Sequence, residues 1–345
     1  MSDRVQRLQE RLEQPFLVTN PVNVKYLVGF DSSNCALLVE RDRVRLFTDF
    51  RYIEEARAVE SVEAVQTKRD TIGALGEVLA GKQVSFEGLL PFMFYERLRG
   101  DGVELTPTSG LVEELRAVKD EDELATFRKA CAITDRAFER LAETQFTGRT
   151  ERDVAYELAQ IFHEEGAQEP SFEFIVGSGP TGARPHGRAG DRVIGGGELV
   201  VVDAGGIVDG YASDYTRTFS TGGVSGEMRE AYDVVLAAQQ AALDGIRAGI
   251  TGVEADALAR NVIDGSAFKG ALGHGLGHGL GLDVHEAPRL STESSDTLAP
   301  GNVVTVEPGV YVEGRFGIRI EDDVVVTEDG IENLTGFRKD WLEVA

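Results

Sequence analysis

Two stretches concentrate residues that can do chemistry. The segment Gly273-His274-Gly-Leu-Gly-His278-Gly-Leu-Gly-Leu-Asp-Val-His285-Glu286 holds three of the chain's five histidines. Glycines on both sides of His278 argue against a helix, and so against the two-histidine helical zinc motif. They suit a backbone that approaches a site closely. Earlier, Leu199-Val-Val-Val-Asp203-Ala-Gly-Gly and Tyr211-Ala-Ser-Asp214-Tyr-Thr-Arg-Thr-Phe219 flank an Asp-Gly turn, a hairpin signal. Asp203 closes a run of buried-type residues, where a lone carboxylate is costly to desolvate. Two carboxylates converging from one hairpin repel unless a cation lies between them. The plainer alternative is a turn-capping Asp beside a surface Asp.

A third group lies near the C-terminus. Val303-Val-Thr-Val-Glu307-Pro308-Gly309 places a glutamate within an apolar strand just before a turn, and Gly317-Ile-Arg319-Ile-Glu321 sets Arg319 and Glu321 on one strand face. An ion pair would account for Arg319 and Glu321 but would leave Glu307 unexplained. Two Asp, one or more His and two Glu are too many, and too oxygen-rich, for one tetrahedral zinc. They suit two five- or six-coordinate ions sharing carboxylates, with Mn²⁺ preferred and Co²⁺, Zn²⁺ or Fe²⁺ admissible. Two such ions can activate water at neutral pH and polarise a carbonyl, so amide hydrolysis is the natural chemistry.

The elements that must position these residues fall into two groups. Residues 1–117 alternate short helices and strands, an α/β pattern: helix over 4–13, extended 16–19, helix 22–27, strands 35–39 and 44–48, helix 50–58, strand 84–87, helix 92–98. A boundary is expected at 117/118. Beyond it, Asp120 with Glu123 and Thr150 with Asp153 read as N-caps of two long helices, the second ending at Gly166. Val-, Ile- and Gly-rich strands follow, interrupted by helices over 225–247 and 253–263, which makes residues 118–345 α+β.

Composition excludes several classes. Acids outnumber bases by 59 to 35, a net charge of -24 that repels a nucleic-acid backbone. No segment reaches the roughly 18 apolar residues that span a bilayer, and the N-terminus leads into an amphipathic helix rather than a signal segment. The only two cysteines, Cys35 and Cys131, lie far apart in apolar stretches and read as buried free thiols. A cytoplasmic protein is expected, with no nucleic-acid or membrane partner.

With these residues in place, the chain resembles the pita-bread metallopeptidases, whose ordered set Asp, Asp, His, Glu, Glu matches Asp203, Asp214, His278, Glu307 and Glu321. Thr19 to Phe30 and Thr48 to Ile53 resemble the N-terminal domain of prolidases and aminopeptidases P, which methionine aminopeptidases lack. Creatinase shares both domains but departs from the ligand set. The resemblance implies two divalent metal ions and a homodimer. It implies hydrolysis of the Xaa-Pro bond, in dipeptides or, alternatively, at the N-terminus of longer peptides. It implies His186 beside the scissile bond, His285 at the reacting carbonyl, Glu307 as the proton carrier, and His274, Tyr311 and Arg319 as further substrate-side positions. Arg319, or an arginine from elsewhere, would hold the proline carboxylate. His163 is left as a surface residue. Two readings from other classes are an inactive peptidase-like binding protein, disfavoured by the intact ligand set, and a nucleotide-binding glycine loop at Gly273–Gly281, which lacks the strand–loop–helix setting.

Overall fold

The computed structural model describes residues 3–345, so Met1 and Ser2, at the start of the expected N-terminal helix, lie outside the described residues. The chain divides into two compact units, the first ending at Arg116 and the second spanning Ala117–Ala345.

The first unit is a six-stranded mixed sheet with helices packed on it. Its order is Glu63–Gln66, Val44–Thr48, Cys35–Val39, Phe16–Val18, Gln83–Glu87, Glu104–Thr108. Cys35–Val39 and Val44–Thr48 form an antiparallel hairpin, whereas Gln83–Glu87 and Glu104–Thr108 join in parallel. Leu17, Ala36, Leu38, Phe47, Val84 and Phe86 of the sheet bury against Ile72, Leu75 and Leu79 of the helix Thr71–Leu79. That helix and two of the strands, Glu63–Gln66 and Glu104–Thr108, were not expected from the sequence. Both strands are rich in polar, exposed residues and lack a clean period. The first helix is shorter than expected, Asp3–Gln9, and the third begins only at Ile53. Cys131 is buried as expected, but Cys35 is only half-buried; both thiols are free.

The second unit is α+β in the pita-bread arrangement, with one helix pair against each of two sheets. Both expected capping boxes form: Asp120 with Glu123 opens Glu121–Leu141, and Thr150 with Asp153 opens Glu151–Glu165, which Gly166 ends in a left-handed turn. Their apolar faces (Ala137, Phe138, Leu141, Leu158, Phe162) pack on Val176, Val200, Val202, Tyr215 and Phe219. Those residues belong to the sheet Ile175–Ser178, Leu199–Ala204, Tyr215–Ser220, Leu342–Glu343. The helices Gly226–Gly245 and Gly252–Asp264 pack in the same way on Leu276, Leu290, Val304, Val306 and Val324. Here the sheet order is Glu286–Leu290, Gly277–Gly279, Val303–Val306, Asp322–Val326, Ile331–Asn333. Among the described residues no helix is long and apolar enough to cross a membrane.

One fully buried cation ties these elements together. The Arg217 guanidinium donates to the carbonyls of Thr216 and Glu321, to those of Phe337 and Arg338, and to Asp322 Oδ1 at 2.9 Å. Burial pushes the Asp322 carboxyl up, but Arg217 and Lys339 outweigh it and hold the group below its ordinary range. Removing one partner of such a pair strands the other charge in a dry interior. Arg217→Met should therefore lower unfolding stability by about 3–5 kcal/mol, measured by urea denaturation. Arg128→Met, which breaks a half-exposed pair with Glu332, should cost far less.

Candidate metal centre

Each of the five candidate ligands reaches the site from a place where backbone pairing fixes its direction. Asp203 lies on Leu199–Ala204 opposite Thr216 in an antiparallel ladder. Asp214 immediately precedes the partner strand, and its N–H donates to buried Asp323 Oδ2 at 3.0 Å. The hairpin expected to carry both is interrupted: Gly206–Val208 and Tyr211–Ala212 peel away and pair with each other, and Gly206–Val208 also pairs with Glu169–Pro170, in a sheet of their own. Ser213 Oγ bonds both the N–H and the carbonyl of Gly206 and closes that detour.

His278 sits on the short strand Gly277–Gly279, where Cβ atoms on the flanking glycines would strike the Thr305 and Ala287 carbonyls. Its own N–H donates to Thr305 Oγ1 at 3.1 Å. Glu307 follows the strand Val303–Val306 rather than lying within it, and its N–H donates to the Leu276 carbonyl. Glu321 falls between Phe316–Arg319 and Asp322–Val326, so it and Arg319 do not share one regular strand face as expected. Instead Thr216 aligns them: Glu321 N–H donates to the Thr216 carbonyl, Thr216 Oγ1 donates to Glu321 Oε2 at 2.6 Å, and Arg319 Nε donates to Thr216 Oγ1 at 2.9 Å.

The fold brings these side chains to one place. Ligand atoms of Asp214, His278 and Glu321 all lie within 4.8 Å of one another. His278 Nε2 is 3.7 Å from Asp214 Oδ2 and 3.5 Å from Glu307 Oε1. Asp203 and Arg319 complete the cluster through a 2.5 Å ion pair. Since a carbonyl can only accept, the 3.1 Å contact of His278 Nδ1 with the Gly279 carbonyl puts the proton on Nδ1. Nε2 is left with its lone pair facing the carboxylates.

Electrostatics show what this cluster lacks. Burial and the neighbouring Asp203 push the Asp214 carboxyl well above its ordinary value, and burial and Asp214 do the same to Glu321. Glu307 is pushed up to about 8, chiefly by burial. Burial and His285 bring His278 down to about 4, so it is neutral at pH 7 and available as a ligand. Asp203 Oδ1 is buried and has no hydrogen-bond partner among the described residues. Four mutually repelling carboxylates, one neutral imidazole and an orphaned carboxylate oxygen form a donor set that fits divalent cations.

The other predicted site residues form a rim. The His278 and His285 rings lie with centroids 4.2 Å apart and planes tilted by 44°, and His285 is exposed. His186 is exposed on a turn, near enough for its charge to act on both His274 and His285. Arg319 NH1 donates to Tyr311 Oη at 2.8 Å, and Tyr311 passes its own proton toward His274 Nε2 at 3.0 Å. Arg319 also donates to the Pro185 carbonyl, which fixes the turn carrying His186.

Arg319 is buried, and four of its five N–H groups are taken by Thr216, Pro185, Tyr311 and Asp203, so most of its fork is engaged within the site. His163 lies exposed on its helix, as expected. The residue pattern did not single out Thr216, Thr305, Arg217 or Asp323. Of these, Thr216 was within reach, because period-two alternation from Asp214 places it on the same face.

The sequence pattern of metallopeptidase family M24 matches residues 125–328, and that of the creatinase/prolidase N-terminal domain matches residues 4–118. The Xaa-Pro dipeptidase of Pyrococcus furiosus is 32% identical over 99% of this chain and 100% of its own length. The structure of the Xaa-Pro dipeptidase from Bacillus anthracis superposes with a TM-score of 0.95 at 37% identity, covering 99% of each chain. That of the X-Pro aminopeptidase from Thermotoga maritima gives 0.90 at 34%, covering 99% of this chain and 98% of its own. The chain therefore belongs to metallopeptidase family M24, whose enzymes hydrolyse peptide bonds with divalent metal ions.

Proposed function

We propose that this protein is an Xaa-Pro dipeptidase whose metal ligands are Asp203, Asp214, His278, Glu307 and Glu321, holding two ions. The observation that carries the reading is the buried carboxylate cluster around His278 Nε2, which needs positive charge beyond Arg319. Likeness to dipeptidases across both units favours that branch over the aminopeptidase. The oxygen-rich set with a single imidazole favours Mn²⁺. The ions supply a Lewis acid for the scissile carbonyl and make water nucleophilic near neutral pH.

The residues divide the remaining work by position. Glu307, its Oε1 3.5 Å from His278 Nε2 and 3.4 Å from Thr305 Oγ1, takes the proton of the attacking water and returns it to the prolyl nitrogen. His285, its ring tilted against that of His278, donates to the oxygen that becomes negative. His186 approaches from the opposite turn and holds the proline side. The proline carboxylate must be met by a cation other than Arg319, which is already engaged. An Xaa-Pro amide has no N–H to donate, so a pocket for it reads the ring and the chain ends.

The free thiols Cys35 and Cys131 support a cytoplasmic setting. Homodimerisation belongs to the same reading. Its support is the apolar run Leu89, Phe92 and Met93 on the first unit, each at least 72% exposed. Light scattering should give twice the 37.4 kDa chain mass; a monomer at micromolar concentration would remove that part.

Purified protein with Mn²⁺ should release methionine from Met-Pro and leave Met-Pro-Ala largely intact, with chelator abolishing the activity. Rapid tripeptide cleavage would shift the assignment to an aminopeptidase. No hydrolysis of either by folded, metal-loaded protein would end it. His278→Ala should lose metal and turnover together. His186→Ala should keep its metal, by elemental analysis, while kcat/KM falls about 100-fold, the scale of one lost positioning or acid–base contact.

A further inference from the structure

The geometry points to Lys119 as a positioning residue for His285, acting through a buried ion pair with Glu286. This rests on the assignment of His285 proposed above. Lys119 Nζ donates to Glu286 Oε1 at 2.6 Å, and the two side chains keep only 1% and 8% of their surface. The pair lies outside the metal cluster, and the hydrolytic scheme gives it no part. Removing either partner of a buried pair strands the other charge, so the pair holds its two chain segments together.

Both ends of the pair are held. The Lys119 N–H donates to the Gly301 carbonyl at 2.9 Å, Val118 bridges Asn302, and Asn302 Nδ2 donates to the Ala117 carbonyl at 2.8 Å. The lysine therefore projects from a backbone clamped to the turn before Val303–Val306, the strand that leads to Glu307. At the other end, Glu286 opens the strand Glu286–Leu290 and stands opposite Gly279, where the ladder shifts register just after His278. Between Gly279 and Glu286 runs the loop that ends in His285. Gly281 shows how tightly the carboxylate is seated: a Cβ there would come within 2.3 Å of Glu286 Oε1. Gly281 itself is tied at both backbone groups, receiving the Ala212 N–H and donating to the Asp283 carbonyl.

The loop's entry is thus fixed by backbone bonds, and its exit by strand pairing at Glu286 together with the Lys119 charge on that side chain. Because His285 is the residue immediately before Glu286, the ion pair sets where its imidazole stands against His278. A residue placed this way changes the rate of the step its partner serves and leaves the metal ligands alone.

The test is a double-mutant cycle in the full chain loaded with Mn²⁺, reading kcat and KM on Met-Pro and Mn²⁺ occupancy by electron paramagnetic resonance. Lys119→Met should keep the metal occupancy and lower kcat about 10- to 100-fold, the scale expected for a displaced catalytic contact. Lys119→Arg, which keeps the charge, should recover most of it. In the His285→Ala background Lys119→Met should have almost no further effect, since the group it positions is gone. Glu286→Gln, which keeps the shape and loses the charge, should repeat the pattern if the lysine variant folds poorly. Equal losses in both backgrounds, loss of Mn²⁺ from either pair variant, or full activity of Lys119→Met would overturn the role. A wild-type protein that is inactive on Met-Pro, or a fully active His285→Ala, would instead strike the reading on which it rests.

Discussion

Crowding of like charge in a space from which water is excluded governs this molecule. Asp203, Asp214, Glu307 and Glu321 come within each other's field, and Arg319 is the leading opposing charge among the described residues. In water such groups would separate. Here they are held by backbone: an antiparallel ladder for Asp203, Asp323 for Asp214, the Leu276 carbonyl for Glu307, the Thr216 carbonyl for Glu321. The apolar layers beneath, two helix pairs on two sheets, supply the stability that lets the strand ends carry unfavourable electrostatics. A divalent cation held by these groups would offset their repulsion and stabilise the fold.

Close backbone approach is the second constraint, and glycine meets it where side chains would collide. The strand that presents His278 is three residues long, and glycines at both its ends let the Thr305 and Ala287 backbones come near. A longer or bulkier strand would push the imidazole away from Glu307. Thr305 does double duty here, accepting the His278 N–H and donating to Glu307.

Chemistry was more legible in the sequence than geometry was. The four candidate carboxylates stood out because Asp and Glu in Val- and Ile-rich runs violate the ordinary burial rule; three histidines share a glycine-lined segment, and the family resemblance singled out His278 among them. The caps at Asp120 and Thr150 were readable because a side chain and a backbone donor three residues apart interact locally. Most of the unread features depend on contacts distant in sequence. Arg319 reads as a substrate-facing cation until the strand carrying Thr216 is laid beside it, 103 residues away in sequence. Arg217 reads as an ordinary strand residue until Glu321, Phe337 and Arg338 converge on it. The strands Glu63–Gln66 and Glu104–Thr108 owe their existence to neighbours that pair with them, not to their own pattern.

The inward turn of Arg319 has a consequence for charge balance under the two-ion reading. Four carboxylates against one guanidinium leave a deficit of three positive charges. Two divalent ions would exceed that deficit by one, so a site holding them with neutral water bound would carry a net positive charge. Without Arg319 the same ions would only neutralise the carboxylates. A site that is positive before reaction suits an amide oxygen that becomes negative during it, because the compensating field is already in place. An arginine spent on the substrate's carboxylate would have its charge cancelled each time substrate bound. Held by Asp203, Thr216, Tyr311 and Pro185, it contributes the same field in every state. The geometry thus favours a permanent structural cation at Arg319, with substrate recognition left to groups on the rim.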